Sequence, residues 1–119
     1  LRKMGYNSKV NEMKRKKTIL KELKNLLTLR FGDDIENVIL FGSRAKGMAY
    51  KNSDYDVLIV LNRDYDWQYQ GEIISVIYTL ELEYDIFIDT KIISTHELQH
   101  TIRGKHPLYV DAVQEGIYA

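Results

Sequence analysis

An α/β domain, with short buried strands held between helices, is the fold class that this sequence predicts, and three observations predict it. Two apolar runs of strand length, Val38–Phe41 and Asp54–Leu61, lie close together near the middle of the chain. The second stays apolar on successive residues after its opening carboxylates, as a strand covered on both faces does. Segments with helical periodicity stand before and after this pair.

The elements follow in order. Residues 14–30 read as a helix, with Leu20, Leu23 and Leu27 on one stripe, Ile19 and Leu26 beside it, and Lys14, Lys17, Lys21 and Lys24 largely elsewhere. Gly32-Asp33-Asp34 ends it, and Val38–Phe41 is a short buried strand. Arg44–Ala49 reads as one or two helical turns, Tyr50–Ser53 as a loop and Asp54–Leu61 as the second strand. The β-branched run Ile73–Tyr78 would pass for a strand on propensity alone. The whole stretch from Trp67 is too long for one strand, so a helix over Trp67–Leu82 and a strand over Glu83–Ile93 divide it better. Ser94 caps a short helix, with Glu97 completing a capping box. A last helix starts near Pro107 and stops at Gly116.

At 119 residues the chain reads as one domain over 1–119. It has no cysteine, so disulfides and thiolate metal sites are excluded. No apolar run approaches the roughly 20 residues of a membrane span, which makes the cytoplasm the expected location. Net charge is zero but unevenly spread: 10 of the 17 basic residues fall within the first 30 positions, against Glu12 and Glu22. That stretch reads either as a solvated helix face or as a basic surface for nucleic acid or an acidic partner. Leu1 is not an initiator residue, so Met4 or Met13 is the expected start and residues 1–12 are expected to form a flexible basic arm.

The chemistry concentrates between the two apolar runs. Asp54 and Asp56, spaced i, i+2 on a strand, point to one face and offer adjacent hard oxygen ligands suited to Mg²⁺. Gly42 lets backbone approach a phosphate, Ser43 adds a hydroxyl, and a helix starting there would turn free N–H groups toward the anion. The bland alternative is that these aspartates merely end strands near a turn. It explains one of them more easily than a cluster, because adjacent carboxylates repel unless a cation or proton compensates.

Gly42, Ser43, Ala45, Gly47, Ser53, Asp54 and Asp56 match, in order and spacing, the pattern of nucleotidyltransferases related to DNA polymerase beta. Within that superfamily the chain resembles the minimal nucleotidyltransferases, most strongly over residues 38–61. The resemblance implies the polymerase-beta-like fold, a small mixed central sheet flanked by helices. It implies transfer of NMP from an NTP, most simply AMP from ATP, to a hydroxyl, with pyrophosphate released. Asp54 and Asp56 would hold one of two Mg²⁺ ions, and Gly42, Ser43, Lys46 and Ser53 would bind the nucleotide. Lys46 stands where the family often has Arg, keeping the charge without the bidentate fork. A third carboxylate would share the second ion and take up the acceptor's proton. Asp85 and Asp89 both qualify on a strand over 83–93, and Asp85 fits better because it would open its strand as Asp54 and Asp56 open theirs.

Larger relatives carry a further domain for the acceptor, whereas minimal nucleotidyltransferases often act as antitoxins of the MntA type beside HEPN-domain toxins, some modifying a toxin tyrosine. The resemblance therefore implies a HEPN toxin as partner. Other readings are a non-catalytic module that binds a toxin, the catalytic half of a two-chain aminoglycoside-type enzyme, a homo-oligomer, or RNA brought in by the basic helix.

A rival motif is His96-Glu97-Leu98-Gln99-His100, which matches the zinc-protease signature, with His106 at the spacing of a third ligand. Arg103 occupies the position of the longer motif's glycine, Gly104 comes one place late, and no Met follows Met48. Exposed histidines and a capping Glu97 are the expected reading.

Overall fold

The computed structural model describes residues 2–48 and 54–119, with side chains from Val10 onward. Helix α1 (Arg2–Phe31) passes through a 3-10 turn, Gly32–Asp34, into β1 (Ile35–Phe41). The single turn α2 (Gly42–Ala45) follows directly, then β2 (Tyr55–Leu61), α3 (Trp67–Tyr84) and β3 (Ile88–Ser94). Helix α4 (Thr95–His100), a 3-10 turn at Ile102–Lys105, α5 (Pro107–Glu115) and the two-residue strand β4 (Ile117–Tyr118) complete the chain.

The four strands form one mixed sheet in the order β3-β2-β1-β4, with β1 antiparallel to both neighbours and β2 parallel to β3. Alternation along each strand sends side chains to two different layers. Val38, Leu40, Val57, Ile59 and Ile92 pack with Ile19, Leu20, Leu23 and Leu27 of α1 and Ile73, Ile77 and Leu80 of α3. Ile39, Phe41, Leu58, Val60 and Ile93 meet Tyr109 and Ala112 of α5 on the other face, with Leu98 of α4 beside them. Both central strands are thus covered twice, which is why β2 reads as an unbroken apolar run. This is the expected polymerase-beta-like arrangement.

Local signals place several boundaries. Asp66 accepts the Tyr69 N–H at 2.8 Å to cap α3. The capping box at α4 is complete: Ser94 Oγ accepts the Glu97 N–H at 3.0 Å, and Glu97 Oε1 accepts the Ser94 N–H at 3.1 Å. Pro107 opens α5, where His106 Nδ1 accepts the Leu108 N–H at 3.1 Å.

Several boundaries differ from expectation, and β1 begins at Ile35 rather than Val38. Helix α1 starts at Arg2, so residues expected as a flexible arm continue the helix: once a helix is nucleated, each added turn costs little, and no proline interrupts. Helix α2 begins at Gly42 and lasts one turn. Helix α3 runs on to Tyr84, and β3 starts at Ile88 rather than Glu83. The change happens at Asp85, which takes a left-handed conformation (φ 52°, ψ 53°) and donates its N–H to Glu81 O as the helix C-cap. Strand β4 was not expected, because two residues carry no periodicity and their pairing with Ile39 and Leu40 joins segments far apart in the chain.

Among the described residues, no helix is long and apolar enough to cross a membrane.

Leu23 is wholly buried between α1 and the sheet. Leu23→Ala should lower unfolding free energy by about 2–5 kcal/mol, read from urea denaturation.

Candidate active site

The end of β1 and the starts of β2 and β3 meet at one edge of the sheet. Antiparallel register sets Phe41 opposite Asp56, and parallel register sets Asp56 beside Asp89. Asp54, Asp56 and Asp89 share the parity of Leu58, Val60 and Ile93, so they belong to the α5 face, beyond the apolar residues that this helix covers.

Gly42 fits this corner for two reasons. Its φ is +73°, a left-handed conformation that costs an L side chain roughly 1–2 kcal/mol. A Cβ placed on it would lie 2.4 Å from Asp56 Oδ2. The carboxylate of Asp56 therefore rests directly against the turn that follows β1.

The electrostatics are strained. Burial, then the nearby charges of Asp89 and Asp54, raise the Asp56 pKa above its ordinary value, and Lys91 pulls it back down. Lys91 also pairs with Asp89 at 3.3 Å, an ion pair that water reaches at both ends. It lies on β3 opposite Leu58. No sequence pattern singles out Lys91, since its relation to Asp56 depends on register between two strands far apart in the chain.

Arg44 anchors α2. It is buried, its guanidinium sits 4.1 Å from the centre of the Tyr55 ring, and its Nη1 donates to Glu12 at 3.1 Å. Lys16 Nζ donates to the Arg44 carbonyl at 2.9 Å. The phosphate-type turn is thus tied to α1 and to the opening residue of β2. Arg44 supports the turn from within.

The residues singled out from sequence fall into four groups. Gly42, Asp54 and Asp56 come together, with Ser43 next to them at the start of α2. Lys46 caps α2 and pairs with Asp111 of α5 at 3.5 Å, both side chains being partly exposed. Ser53 lies outside the described residues. Asp85 requires a correction: the preference for it assumed a place at the start of β3, but it caps α3 three residues before that strand. The strand position beside Asp56 is held by Asp89.

The zinc-type motif resolves into local structure. Glu97 serves the capping box, pairs with Arg103 at 2.9 Å and accepts the Tyr65 hydroxyl. Burial would raise its pKa, but the hydrogen bonds from Tyr65, the Ser94 N–H and Arg103 outweigh it and hold the carboxyl below its ordinary value. His96 and His100 stack with ring centres 5.1 Å apart, while His106 caps α5.

The chain belongs to the polymerase beta nucleotidyltransferase family: the family model described as Polymerase beta, Nucleotidyltransferase matches residues 15–112. It is accordingly a nucleotidyltransferase. It is similar to two candidate protein adenylyltransferases of Methanocaldococcus jannaschii. MJ0141 is 37% identical over 70 residues, covering 59% of this chain and 71% of that protein. MJ0604 is 36% identical over 79 residues, covering 66% and 73%. Among solved structures, a toxin-antitoxin with AMP-PNP superposes with a TM-score of 0.56 at 20% identity, covering 82% of this chain and 69% of that one. A mutant MntA-HpeT toxin-antitoxin gives a TM-score of 0.56 at 16% identity with the same coverage. At these identities the likeness is one of fold.

Two outcomes follow from the geometry. Gly42→Ala should destabilise the fold by at least about 1–2 kcal/mol and displace Asp56, which denaturation and loss of nucleotidyl transfer would register together. The second concerns pH. A carboxyl with a raised folded-state pKa contributes stability that is present below its unfolded pKa and lost as pH rises through the folded value. Asp56→Asn should therefore melt higher than the parent at pH 7, with the difference vanishing below the ordinary carboxylate range, in thermal scans across pH.

Proposed function

We propose that this protein is a Mg²⁺-dependent adenylyltransferase that moves AMP from ATP to a tyrosine hydroxyl of a HEPN-domain toxin and so acts as its antitoxin. The observation that carries the reading is the packing of Asp56 against Gly42 with Asp54 and Asp89 beside it, which sets carboxylates and a phosphate-type turn at one edge. The toxin context is supported by the two toxin-antitoxin folds, and the transferred group by the names of the two archaeal relatives.

The donor set suits magnesium. All three candidate ligands are hard oxygens, and the Asp56 pKa is raised by burial first and then by the charges of Asp89 and Asp54, which Lys91 offsets only in part. When bound, the ions supply charge neutralisation at the triphosphate and acidify the acceptor hydroxyl.

The chain's own residues do the rest. Gly42 and Ser43 hold the β- and γ-phosphates through backbone N–H groups and the Ser43 hydroxyl, with Ser53 assisting. Lys46, held by a water-exposed ion pair, exchanges Asp111 for phosphate oxygen at small cost. Asp89, rather than Asp85, accepts the proton of the attacking hydroxyl. The new bond forms between acceptor oxygen and the α-phosphorus as the α–β bridge breaks, and pyrophosphate leaves.

The test is incubation with Mg²⁺, ATP and a HEPN-domain toxin supplied as the partner, followed by intact mass spectrometry. One AMP should appear on the partner. Asp54→Asn, Asp56→Asn and Asp89→Asn should each lower the rate by on the order of 100-fold or more, since several kcal/mol of charge stabilisation are lost. Asp85→Asn should stay within about threefold of the parent, as expected for a residue that caps α3 instead of standing in the strand beside Asp56. Partner inhibition without any AMP would overturn the enzymatic reading.

A further inference from the structure

The zinc-type motif fails as a peptidase at Glu97, which its cap, Arg103 and Tyr65 occupy, but its two histidines are left over. His96 and His100 are both exposed, and neither imidazole has a hydrogen-bond partner among the described residues. Each ring instead faces the other, with centres 5.1 Å apart and planes tilted by 37°.

The local fold presents the two rings together. Four residues apart on α4, they lie on one side of the helix. Leu98, halfway between them, turns to the other side and packs against the cluster that holds Ile93 and Tyr109. Both ends of the helix are held. The capping box closes its start, and at its end Thr101 donates its N–H and its hydroxyl to the Glu97 carbonyl, at 3.2 and 2.7 Å. Gly104 then lies so close to the Leu98 carbonyl oxygen that a Cβ would collide with it. The backbone under both histidines is therefore set before any ligand arrives.

Their spacing fits a chelate. With metal–nitrogen bonds of about 2.0–2.1 Å, two imidazoles bound at a tetrahedral angle place their ring centres about 5 Å apart. The observed 5.1 Å meets that value, so chelation asks the rings to rotate and the helix to stay where it is. His106 is committed elsewhere: its Nδ1 accepts the Leu108 N–H, and its ring lies against Tyr109.

Charges of both signs stand beside the pair. Glu97 is joined to Arg103, and the cleft of about 260 Å³ that His96 borders is lined by Arg63 and Asp64. The nitrogens, rather than an acidic field, thus decide which ion binds. Imidazole suits late first-row ions, whereas carboxylate oxygens such as those of Asp54, Asp56 and Asp89 suit magnesium. The two places are also apart, because α4 follows the far end of β3 from Asp89, roughly 16 Å of strand away.

We propose that His96 and His100 form a bidentate surface site for a late first-row divalent ion of the zinc, nickel and copper class. The site is separate from the carboxylate edge and does not depend on the function proposed above. Water fills the remaining coordination positions, and the bound ion staples one turn of α4 across its exposed side.

Zinc and copper are the probes, added to protein without a histidine tag in excess Mg²⁺, so that binding at the carboxylates is suppressed. Calorimetry should find one ion per chain, with copper bound more tightly than zinc. Electron paramagnetic resonance of the copper form should show coupling to two imidazole nitrogens. Removing merely a hydrogen-bond partner of a metal ligand costs about 10–100-fold, so His96→Gln and His100→Gln should each weaken binding by at least about tenfold. Both positions are exposed, so circular dichroism should stay as in the parent. Copper coupled to oxygen alone, displacement by Mg²⁺, or undiminished binding in His96→Gln/His100→Gln would each overturn the site. His106→Gln should bind as the parent does; equal loss there, with the fold intact, would overturn the two-ligand site in favour of one built from three histidines.

Discussion

The contact on which the candidate site depends is the carboxylate of Asp56 lying against the Cα of Gly42. It couples two constraints that would otherwise be independent. The antiparallel register of β1 and β2 brings Phe41 opposite Asp56, and the left-handed turn at Gly42 then carries the chain across the end of β2. A side chain at position 42 would break both at once. Arg44 fixes the same turn from beneath, with Tyr55 and Glu12 as its partners, so that turn and strand move together. Stability and chemistry oppose one another here: burial, then the neighbouring carboxylates of Asp89 and Asp54, raise the Asp56 pKa and cost the fold stability, while a cation-binding reaction centre requires just that density of negative charge.

The layered core makes this tolerable. Two helices on one face and α5 on the other bury both central strands, leaving polar groups free to gather where β1 ends and β2 and β3 begin. The strands supply rigidity, and the short turn between β1 and α2 supplies the backbone that a bound anion would need.

Much of this was legible in the sequence. The buried strands, the leucine stripe of α1, the capping box at Ser94 and Glu97, and the Gly-Ser turn before two carboxylates all rest on patterns spanning a few residues. What could not be read there depends on distant register. The stretch from Tyr84 to Phe87 carries no strong stop signal, and a single left-handed Asp85 decides where helix gives way to strand, shifting the carboxylate beside Asp56 from one aspartate to another. Strand β4 and the Lys91 pairing escaped for the same reason. The zinc-type motif shows the opposite error that sequence invites, since Glu97 is occupied by its cap, Arg103 and Tyr65.

The central claim is that Asp54, Asp56 and Asp89 form one metal-binding set and that Asp85 stands outside it. Manganese binding in the presence of a non-hydrolysable ATP analogue, counted by electron paramagnetic resonance, tests this most directly. The account predicts fewer ions bound by Asp89→Asn than by the parent protein, and an unchanged number for Asp85→Asn. Loss of an ion in Asp85→Asn with full occupancy in Asp89→Asn would contradict it.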